Sequence, residues 1–182
     1  MGSALRVLPH YTYDDYLEWE GRWELIEGIP YAMSPAPMPR HQRIAANIKA
    51  EFVYGVRNSA CNCCHVYDFI DFKPQEDIVV QPDALIVCGE ITKNYLDFPP
   101  ALVVEILSPS TALKDRNNKY LIYEAQKIPY YLIVDPDANT IEIFTLSEEG
   151  KYIAAPFNPA IPYRFRLTED CAIEVLLNNT WQ

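Results

Sequence analysis

The feature that most constrains the fold of this chain is an apolar run over residues 101–107, interrupted only by Glu105. Strands of this composition are normally covered on both faces, so the run predicts a strand in the middle of a sheet. Capping residues after it predict a helix over about residues 112–126, and residues 130–134 form another apolar strand. A strand–helix–strand unit implies parallel pairing and therefore an α/β or mixed α+β sheet.

The remaining patterns extend this core on both sides. Residues 12–33 predict a short helix and a hairpin, and apolar residues at every fourth position from Ile44 predict an amphipathic helix from His41 to about residue 57. Three strands are predicted at 66–72, at 78–88 with a break at Pro82, and at 101–107. At 182 residues we expect one domain over 1–182, with a core at about 41–136 and C-terminal strands within 140–177. These strands are predicted at residues 140–146 and, more weakly, near Tyr152 and Ile173.

Composition excludes several function classes. The chain has 6 glycines, and their spacing allows neither a G-x-G-x-x-G dinucleotide fingerprint nor a P-loop. An odd number of cysteines, 5, and the lack of a secretory signal favour a cytoplasmic protein, and no apolar run approaches the roughly 18–20 residues of a membrane span. The net charge of −10 disfavours tight binding of nucleic acid, although it leaves weak binding open.

Glu105 and Asp83 are the acids most indicative of chemistry. A carboxylate without a partner in an apolar strand would cost roughly several kcal/mol, so Glu105 needs compensation. Asp83 follows Pro82 at the break in the neighbouring strand, and pairing of the two strands would bring both acids to one place. Two carboxylates with backbone and water oxygens suit Mg²⁺, with Mn²⁺ as a substitute. A structural ion pair between Glu105 and a buried Lys or Arg remains open.

Six motifs in order carry a resemblance to a known family over roughly residues 12–145. They are Glu24-Leu25-Ile26-Glu27-Gly28, a Ser-Pro-rich loop ending in His41-Gln42, Pro82-Asp83, Val104-Glu105-Ile106-Leu107-Ser108-Pro109-Ser110-Thr111, Lys119-Tyr120 with Tyr123, and Tyr130-Tyr131-Leu132-Ile133-Val134-Asp135-Pro136. This set resembles the Uma family of putative restriction endonucleases, which belongs to the PD-(D/E)xK nuclease superfamily. The resemblance implies a restriction-endonuclease-like core in the order helix–three strands–helix–strand.

The resemblance also implies catalytic residues. Asp83 and Glu105 match the acids of the motif and would be ligands of Mg²⁺. The motif has lysine two residues after its second acid, where this chain has Leu107. In related families the lysine has moved to the following helix, and Lys119 stands at that position, where it would orient or deprotonate the attacking water or neutralise developing charge. The alternative for Lys119 is an exposed ion pair with Asp115.

Further residues could support the site. Glu24 and His41 match positions typical of the family, although a partly exposed residue at a helix start is the favoured interpretation of His41. Basic residues for contact with nucleic acid cluster on the two predicted helices, at Arg40, Arg43 and Lys49 and at Lys114 and Arg116. The function implied is Mg²⁺-dependent hydrolysis of phosphodiester bonds in DNA, by a homodimer if the analogy with double-strand cutters holds.

Two other hypotheses stay open. Because position 107 is not lysine and the chain is acidic, the first is a nuclease-like scaffold that has lost catalysis and serves as a binding or interaction module. The second is a zinc site in the cluster of residues 61–65, which is disfavoured because adjacent cysteines on a strand point to opposite faces and no second pair with ligand spacing follows. Cys88 and Cys171 are predicted to be core residues.

Overall fold

The computed structural model describes residues 9–33, 38–109 and 111–182, which form four α-helices and twelve strands. The helical segments are α1 (Tyr13–Leu17), α2 (Pro39–Arg57), α3 (Ala112–Lys114), a π-helical turn (Asp115–Lys119), α4 (Tyr120–Ala125) and a C-terminal 3₁₀ turn (Leu177–Trp181). The strands are β1 (Trp23–Ile26), β2 (Ile29–Ala32), β3 (Cys64–Tyr67), β4 (Phe72–Gln75), β5 (Ile78–Val80), β6 (Ala84–Cys88), β7 (Leu102–Ile106), β8 (Tyr130–Asp135), β9 (Thr140–Leu146), β10 (Tyr152–Ala154), β11 (Tyr163–Arg166) and β12 (Ala172–Val175).

A six-stranded mixed sheet with the order β10-β9-β8-β7-β6-β3 forms the centre of the fold. β7 and β8 are parallel, and the other neighbouring pairs are antiparallel. All residues of β7 are buried, which confirms the predicted central strand. β6 pairs with β7 in the register Ala84↔Val104, so the strands that follow Asp83 and carry Glu105 are neighbours.

Alternate side chains of β7 serve two different cores. Leu102, Val104 and Ile106 pack with α2, with β8 and with the β11–β12 hairpin. Val103 packs on the opposite face with α4 and with the second sheet. Glu105 shares the face of Val103, so its carboxylate is directed towards the helical segment that follows β7. The predicted order helix–three strands–helix–strand is present as α2, β3, β6, β7, α3 to α4, and β8.

A second, four-stranded antiparallel sheet with the order β2-β1-β5-β4 differs from the expectation. The strand predicted over 78–88 is two strands, β5 and β6, which lie in different sheets. Pro82 has no N–H to donate to a ladder, so pairing ends there. The strand predicted over 66–72 likewise divides into β3 and β4. In this second sheet, β1 carries Glu24, whose side chain is fully buried.

The helices and the C-terminal region also refine the predictions. The helix predicted over 112–126 contains a π-helical turn, and β11 was not predicted, whereas β9, β10 and β12 were. The amphipathic helix was expected to begin at His41, after the Ser-Pro-rich loop, but Pro39 opens α2, since the first helical position needs no N–H donor. Residues 34–37 and Ser110 lie outside the described residues. None of the described helices combines the length and apolar character needed to cross a bilayer.

Candidate active site

A narrow cleft opens where the C-terminal end of β7 meets the start of α2, the strand β1 and the π-helical turn. Its lining includes the predicted residues Asp83, Glu105, Lys119 and His41, together with Asp115, Lys114 and Arg22. The structure therefore brings the three residues predicted to be catalytic to one place. Glu24 lies directly behind this lining, where it contacts Lys119 and Lys114.

Lys119 is the centre of a buried group of charges that we call the Lys119 cluster, comprising Lys119, Glu24, Glu105 and Asp115. Its Nζ lies 2.7 Å from Oε1 of Glu24, 2.9 Å from Oε1 of Glu105 and 3.5 Å from Oδ1 of Asp115. The side chain of Lys119 is 3% exposed, so the exposed ion pair considered for Lys119 and Asp115 is wrong. The ion pair with Asp115 exists, but it lies inside the protein.

The other partners of the two glutamates complete this network. The Tyr123 hydroxyl donates a hydrogen bond of 2.6 Å to Oε1 of Glu105. Glu24 accepts a bond of 2.9 Å from the backbone N–H of Gln81 and pairs with Lys114 through its second oxygen. Each carboxylate therefore has at least two donors, as expected for acids buried this deeply.

Burial and neighbouring charge shift the pKa values of the Lys119 cluster in different directions. Burial disfavours ionisation of Glu24, but Lys119 and Lys114 outweigh it and hold its pKa below the usual value. Burial raises the pKa of Glu105 well above its usual value, and Lys119 offsets this only in part. Burial alone would lower the pKa of Lys119, but Glu105, Glu24 and Asp115 raise it well above that of a free lysine.

Asp83 is linked to His41 and to the backbone of β7. Its Oδ2 accepts a hydrogen bond of 2.8 Å from the N–H of Ile106 and lies 3.3 Å from Nε2 of His41. That nitrogen also lies 2.9 Å from the carbonyl oxygen of Ile106, which accepts the hydrogen. Burial lowers the pKa of His41, but its hydrogen bond with Asp83 and the charge of that carboxylate outweigh burial and raise it.

His41 therefore makes specific contacts that its interpretation as a partly exposed residue at a helix start did not include. It does lie in the first turn of α2, but its ring is mostly buried and contacts Asp83 and β7. Its Nδ1 is buried and has no hydrogen-bond partner among the described residues.

Asp115 is the third acid in the cleft, and the sequence indicated it only as a surface partner of Lys119. Burial raises the pKa of its carboxyl group, and Lys119 opposes this shift. Its Oδ1 is buried without a hydrogen bond among the described residues. Three acids, Glu24, Glu105 and Asp115, thus share two amines, Lys114 and Lys119.

The donors of the cleft fit an oxygen-preferring metal ion. Asp83 and Glu105 offer carboxylates, and the carbonyl oxygen of Ile106, which accepts a hydrogen from His41, is a further oxygen at this end of β7. Within the described residues, three or more His, Cys, Asp or Glu ligand atoms lie within 4.8 Å of one another only in a group of cysteines elsewhere. A metal ion in the cleft would therefore take only one or two carboxylates from the described residues and complete its coordination with water, as Mg²⁺ commonly does.

The basic residues predicted to contact nucleic acid are placed unevenly. Arg40 and Arg43 are exposed near the start of α2, and Arg40 donates a hydrogen bond of 2.8 Å to Asn139. Lys114 is mostly buried against Glu24, and Arg116 lies 2.6 Å from Glu142. Lys114 and Arg116 are therefore already paired with acids, and the charge free to meet a phosphate backbone lies mainly at the start of α2.

Two residues that the sequence reasoning missed lie at the mouth of the cleft. The guanidinium of Arg22 lies 4.7 Å from the ring centre of Phe69, and both residues line the cleft. Phe69 is half-exposed and has a φ of 52°, a left-handed conformation that is uncommon for a bulky residue. The sequence carries no local signal for this pair, because the exposure and the φ of Phe69 are properties of the fold.

Comparison with known proteins identifies the family and the fold of the chain. A family model, Uma2, described as putative restriction endonuclease, matches residues 13–165. An uncharacterized protein from Synechocystis sp. is 27% identical over 167 residues, covering 83% of this chain and 82% of that protein. The crystal structure of a putative nuclease belonging to DUF820 from Anabaena variabilis shares the fold, with a TM-score of 0.71 and 17% identity over 93% of this chain and 97% of that chain. The chain belongs to the Uma2 family of putative restriction endonucleases.

Proposed function

We propose that this chain is a cytoplasmic, Mg²⁺-dependent endonuclease that hydrolyses phosphodiester bonds in DNA, with Asp83 and Glu105 as metal ligands and Lys119 as the catalytic lysine. The observation that carries the proposal is the 2.9 Å contact between Nζ of Lys119 and Glu105. A lysine from the following helix reaches the second acid of the motif although position 107 is leucine. Leu107 is instead buried in the core beside α4.

The chemistry is divided between the metal and the side chains. Asp83 and Glu105 would hold Mg²⁺, which would lower the pKa of a bound water and neutralise charge on the scissile phosphate. The ammonium of Lys119 would orient the attacking water or stabilise negative charge that develops in the transition state. Glu24 and Asp115 position Lys119 from two sides, and His41 positions Asp83.

DNA would approach along the start of α2 and across the mouth of the cleft. Arg40 and Arg43 offer positive charge for backbone phosphates there. Phe69 and Arg22 form an aromatic and cationic pair at the entrance, which suits contact with a base next to the scissile bond. Cleavage of both strands would need two copies of the site, so the proposal includes a homodimer.

Plasmid cleavage in the presence of Mg²⁺ or Mn²⁺ tests the proposal. Asp83→Asn and Glu105→Gln remove a metal-binding charge with little change in shape, and each is expected to lower the cleavage rate by a factor of about 100 or more. Glu148→Gln changes an exposed acid outside the cleft and is the matched control, with an expected rate equal to that of the wild type. Intact plasmid with pure wild-type protein, or equal cleavage by all variants, would refute the proposal.

The second candidate function is a catalytically inactive binding module. This function is favoured because Oε1 of Glu105 already accepts hydrogen bonds from Lys119 and from Tyr123. Isothermal titration calorimetry with Mn²⁺ separates the two functions. A nuclease is expected to bind the ion at a site that Glu105→Gln abolishes, whereas a module that has lost catalysis is expected to show no heat that depends on Glu105.

A further inference from the structure

Four of the five cysteines converge at one point that the proposed nuclease function does not use. Cys61 and Cys64 come from the loop after α2 and the first residue of β3, Cys88 ends β6, and Cys171 precedes β12. The structure joins them in pairs, as disulfides Cys61–Cys171 and Cys64–Cys88. The sulfurs of Cys61, Cys64 and Cys171 all lie within 4.8 Å of one another. We call these four residues the cysteine cluster.

The cysteine cluster is closed from solvent on most sides. Cys61, Cys64 and Cys171 are 2%, 1% and 5% exposed, and they pack in the same core as α2 and the β11–β12 hairpin. Cys88 is partly buried against this core. Structural zinc sites have this closed character, with all ligands supplied by the protein.

The spacing of Cys61 and Cys64 and one separation between sulfurs fit a tetrathiolate zinc site. The sulfurs within 4.8 Å of one another are those of Cys61, Cys64 and Cys171, and Cys88 joins them through its bond to Cys64. Cys61 and Cys64 form a C-x-x-C pair, the usual spacing of two ligands in such sites. With Zn–S bonds of about 2.3 Å, sulfurs at the corners of a tetrahedron lie about 3.8 Å apart. The sulfurs of Cys64 and Cys171 are 3.7 Å apart. The second ligand pair is Cys88 with Cys171, which lie far apart in sequence, and for that reason the sequence showed no second pair with ligand spacing.

We propose that the cysteine cluster binds one Zn²⁺ through Cys61, Cys64, Cys88 and Cys171 when these cysteines are reduced. Two equivalents of a dithiol reductant break the two S–S bonds, delivering four electrons and becoming disulfides themselves. The four thiols formed then release four protons to water as four Zn–S bonds form. The zinc form and the disulfide form are alternative states of the same four residues.

Either state would link three segments that are distant in sequence. Cys171 ties the β11–β12 hairpin to the loop after α2, across a separation of 110 residues, and Cys88 ties β6 to the start of β3. Binding of zinc only to the folded chain stabilises it, because the unfolded chain has no preformed site. The site is therefore structural, and it is distinct from the acidic cleft in both ligands and metal preference.

Metal content of the full-length protein tests the inference. The protein is purified with a thiol reductant and without chelator, incubated with ZnCl₂ and desalted, and zinc is measured by mass spectrometry. We expect one zinc per chain in the wild type and its loss in Cys171→Ser and in Cys88→Ser. Cys63→Ser is the matched control, because Cys63 is exposed and free although it neighbours Cys64, and it should retain the metal. Wild type without zinc, or equal zinc in all variants, overturns the inference.

Substitution with Co²⁺ covers the case in which the serine variants fail to fold. Four thiolates give the wild-type Co²⁺ protein a strong sulfur-to-metal charge-transfer absorption, whereas a site of oxygen and nitrogen ligands lacks it, and its absence overturns the inference. Asp83→Asn should retain zinc and the Co²⁺ spectrum while losing cleavage. Failure of the zinc inference is thus distinguishable from failure of the proposed nuclease function.

Discussion

At the scale of single residues, Lys119 is the shared partner of the buried acids in the candidate site. Its ammonium lies among three buried carboxylates, so each member of the Lys119 cluster depends on the others for compensation. The two glutamates come from different sheets, β1 and β7, and Lys119 holds them together. Removal of this single positive charge would therefore affect both sheets.

Lys119→Met is expected to destabilise the protein strongly. Glu24 and Glu105 would remain buried without their shared counter-charge, and loss of one partner of a buried pair typically costs about 3–5 kcal/mol. Urea denaturation measures the free energy of unfolding. The matched control is Lys93→Met, which removes an exposed pair with Asp97 and should leave that free energy nearly unchanged, because water screens the pair.

A double substitution shows whether the effect is electrostatic. The variant that combines Lys119→Met with Glu105→Gln has one buried carboxylate fewer than Lys119→Met alone. Its loss in free energy of unfolding should therefore be smaller than the sum of the losses in the two single variants. Additive costs, or equal costs for Lys119→Met and Lys93→Met, would contradict the account of the Lys119 cluster.

At the scale of elements, α2 depends on a close approach to the C-terminal hairpin. Gly55 lies in the last two turns of α2 and is buried against β12. A Cβ at this position would lie 3.2 Å from the carbonyl oxygen of Glu174 and 3.4 Å from Cβ of Ile173. A larger side chain must therefore push the helix and the hairpin apart.

Gly55→Leu is expected to lower the free energy of unfolding by about 1–3 kcal/mol or more, because overpacking displaces backbone that cannot yield cheaply. Ala46→Leu is the matched control, since Ala46 is an exposed position of the same helix and leucine is a good helix former. Chemical denaturation of the two variants is the measurement. Equal free energies of unfolding for the two variants would show that α2 and β12 are not packed closely at Gly55.

The sequence predicted well the helices and strands that are specified by a pattern of neighbouring residues. The burial of β7 and its parallel pairing with β8 followed from one apolar run and the helix after it. The pairing of β1 with β5 could not be predicted in this way, because Leu25 and Val79 are 54 residues apart and no local pattern specifies the register. Short strands such as β11 carry too few residues for their alternation to be distinctive.

The residues of the candidate site also fall into those that a local sequence pattern or the family resemblance indicated and those that it did not. Pro82 and the apolar surroundings of Glu105 indicated both acids, and the resemblance to a family indicated Lys119. The burial of Lys119, its contact with Glu24 and the presence of Asp115 in the cleft all depend on how the second sheet packs against the π-helical turn. Such contacts join residues up to 95 positions apart, and only the fold reveals them.

At the scale of the whole molecule, charge limits the binding of DNA. The chain has a net charge of −10, and Lys114 and Arg116 are paired with acids, which leaves few free cations beside the cleft. We therefore expect weak binding of duplex DNA with a shallow dependence on salt. Two or three phosphate contacts correspond to a slope of log K against log salt of roughly −2 to −3.

Fluorescence anisotropy with labelled duplex and the Glu105→Gln variant, which should not cut, measures this slope. Arg43→Ala is expected to make the slope shallower by about 0.9, the value of one phosphate contact. Arg164→Ala removes an exposed charge on the β11–β12 hairpin and should leave the slope unchanged. A wild-type slope steeper than about −5 would show a larger basic surface than the structure offers.

The mutual compensation within the Lys119 cluster also has an evolutionary consequence. A lineage that no longer needs to cut DNA still needs to fold, and replacing Glu24, Glu105 or Lys119 one at a time would weaken the fold. Selection for folding would then preserve these three residues after selection for catalysis has ended. Asp83 lies outside the cluster, and its side chain is 17% exposed, so it is freer to drift. Among descendants that have lost catalysis, Asp83 would therefore be replaced before Glu24, Glu105 or Lys119.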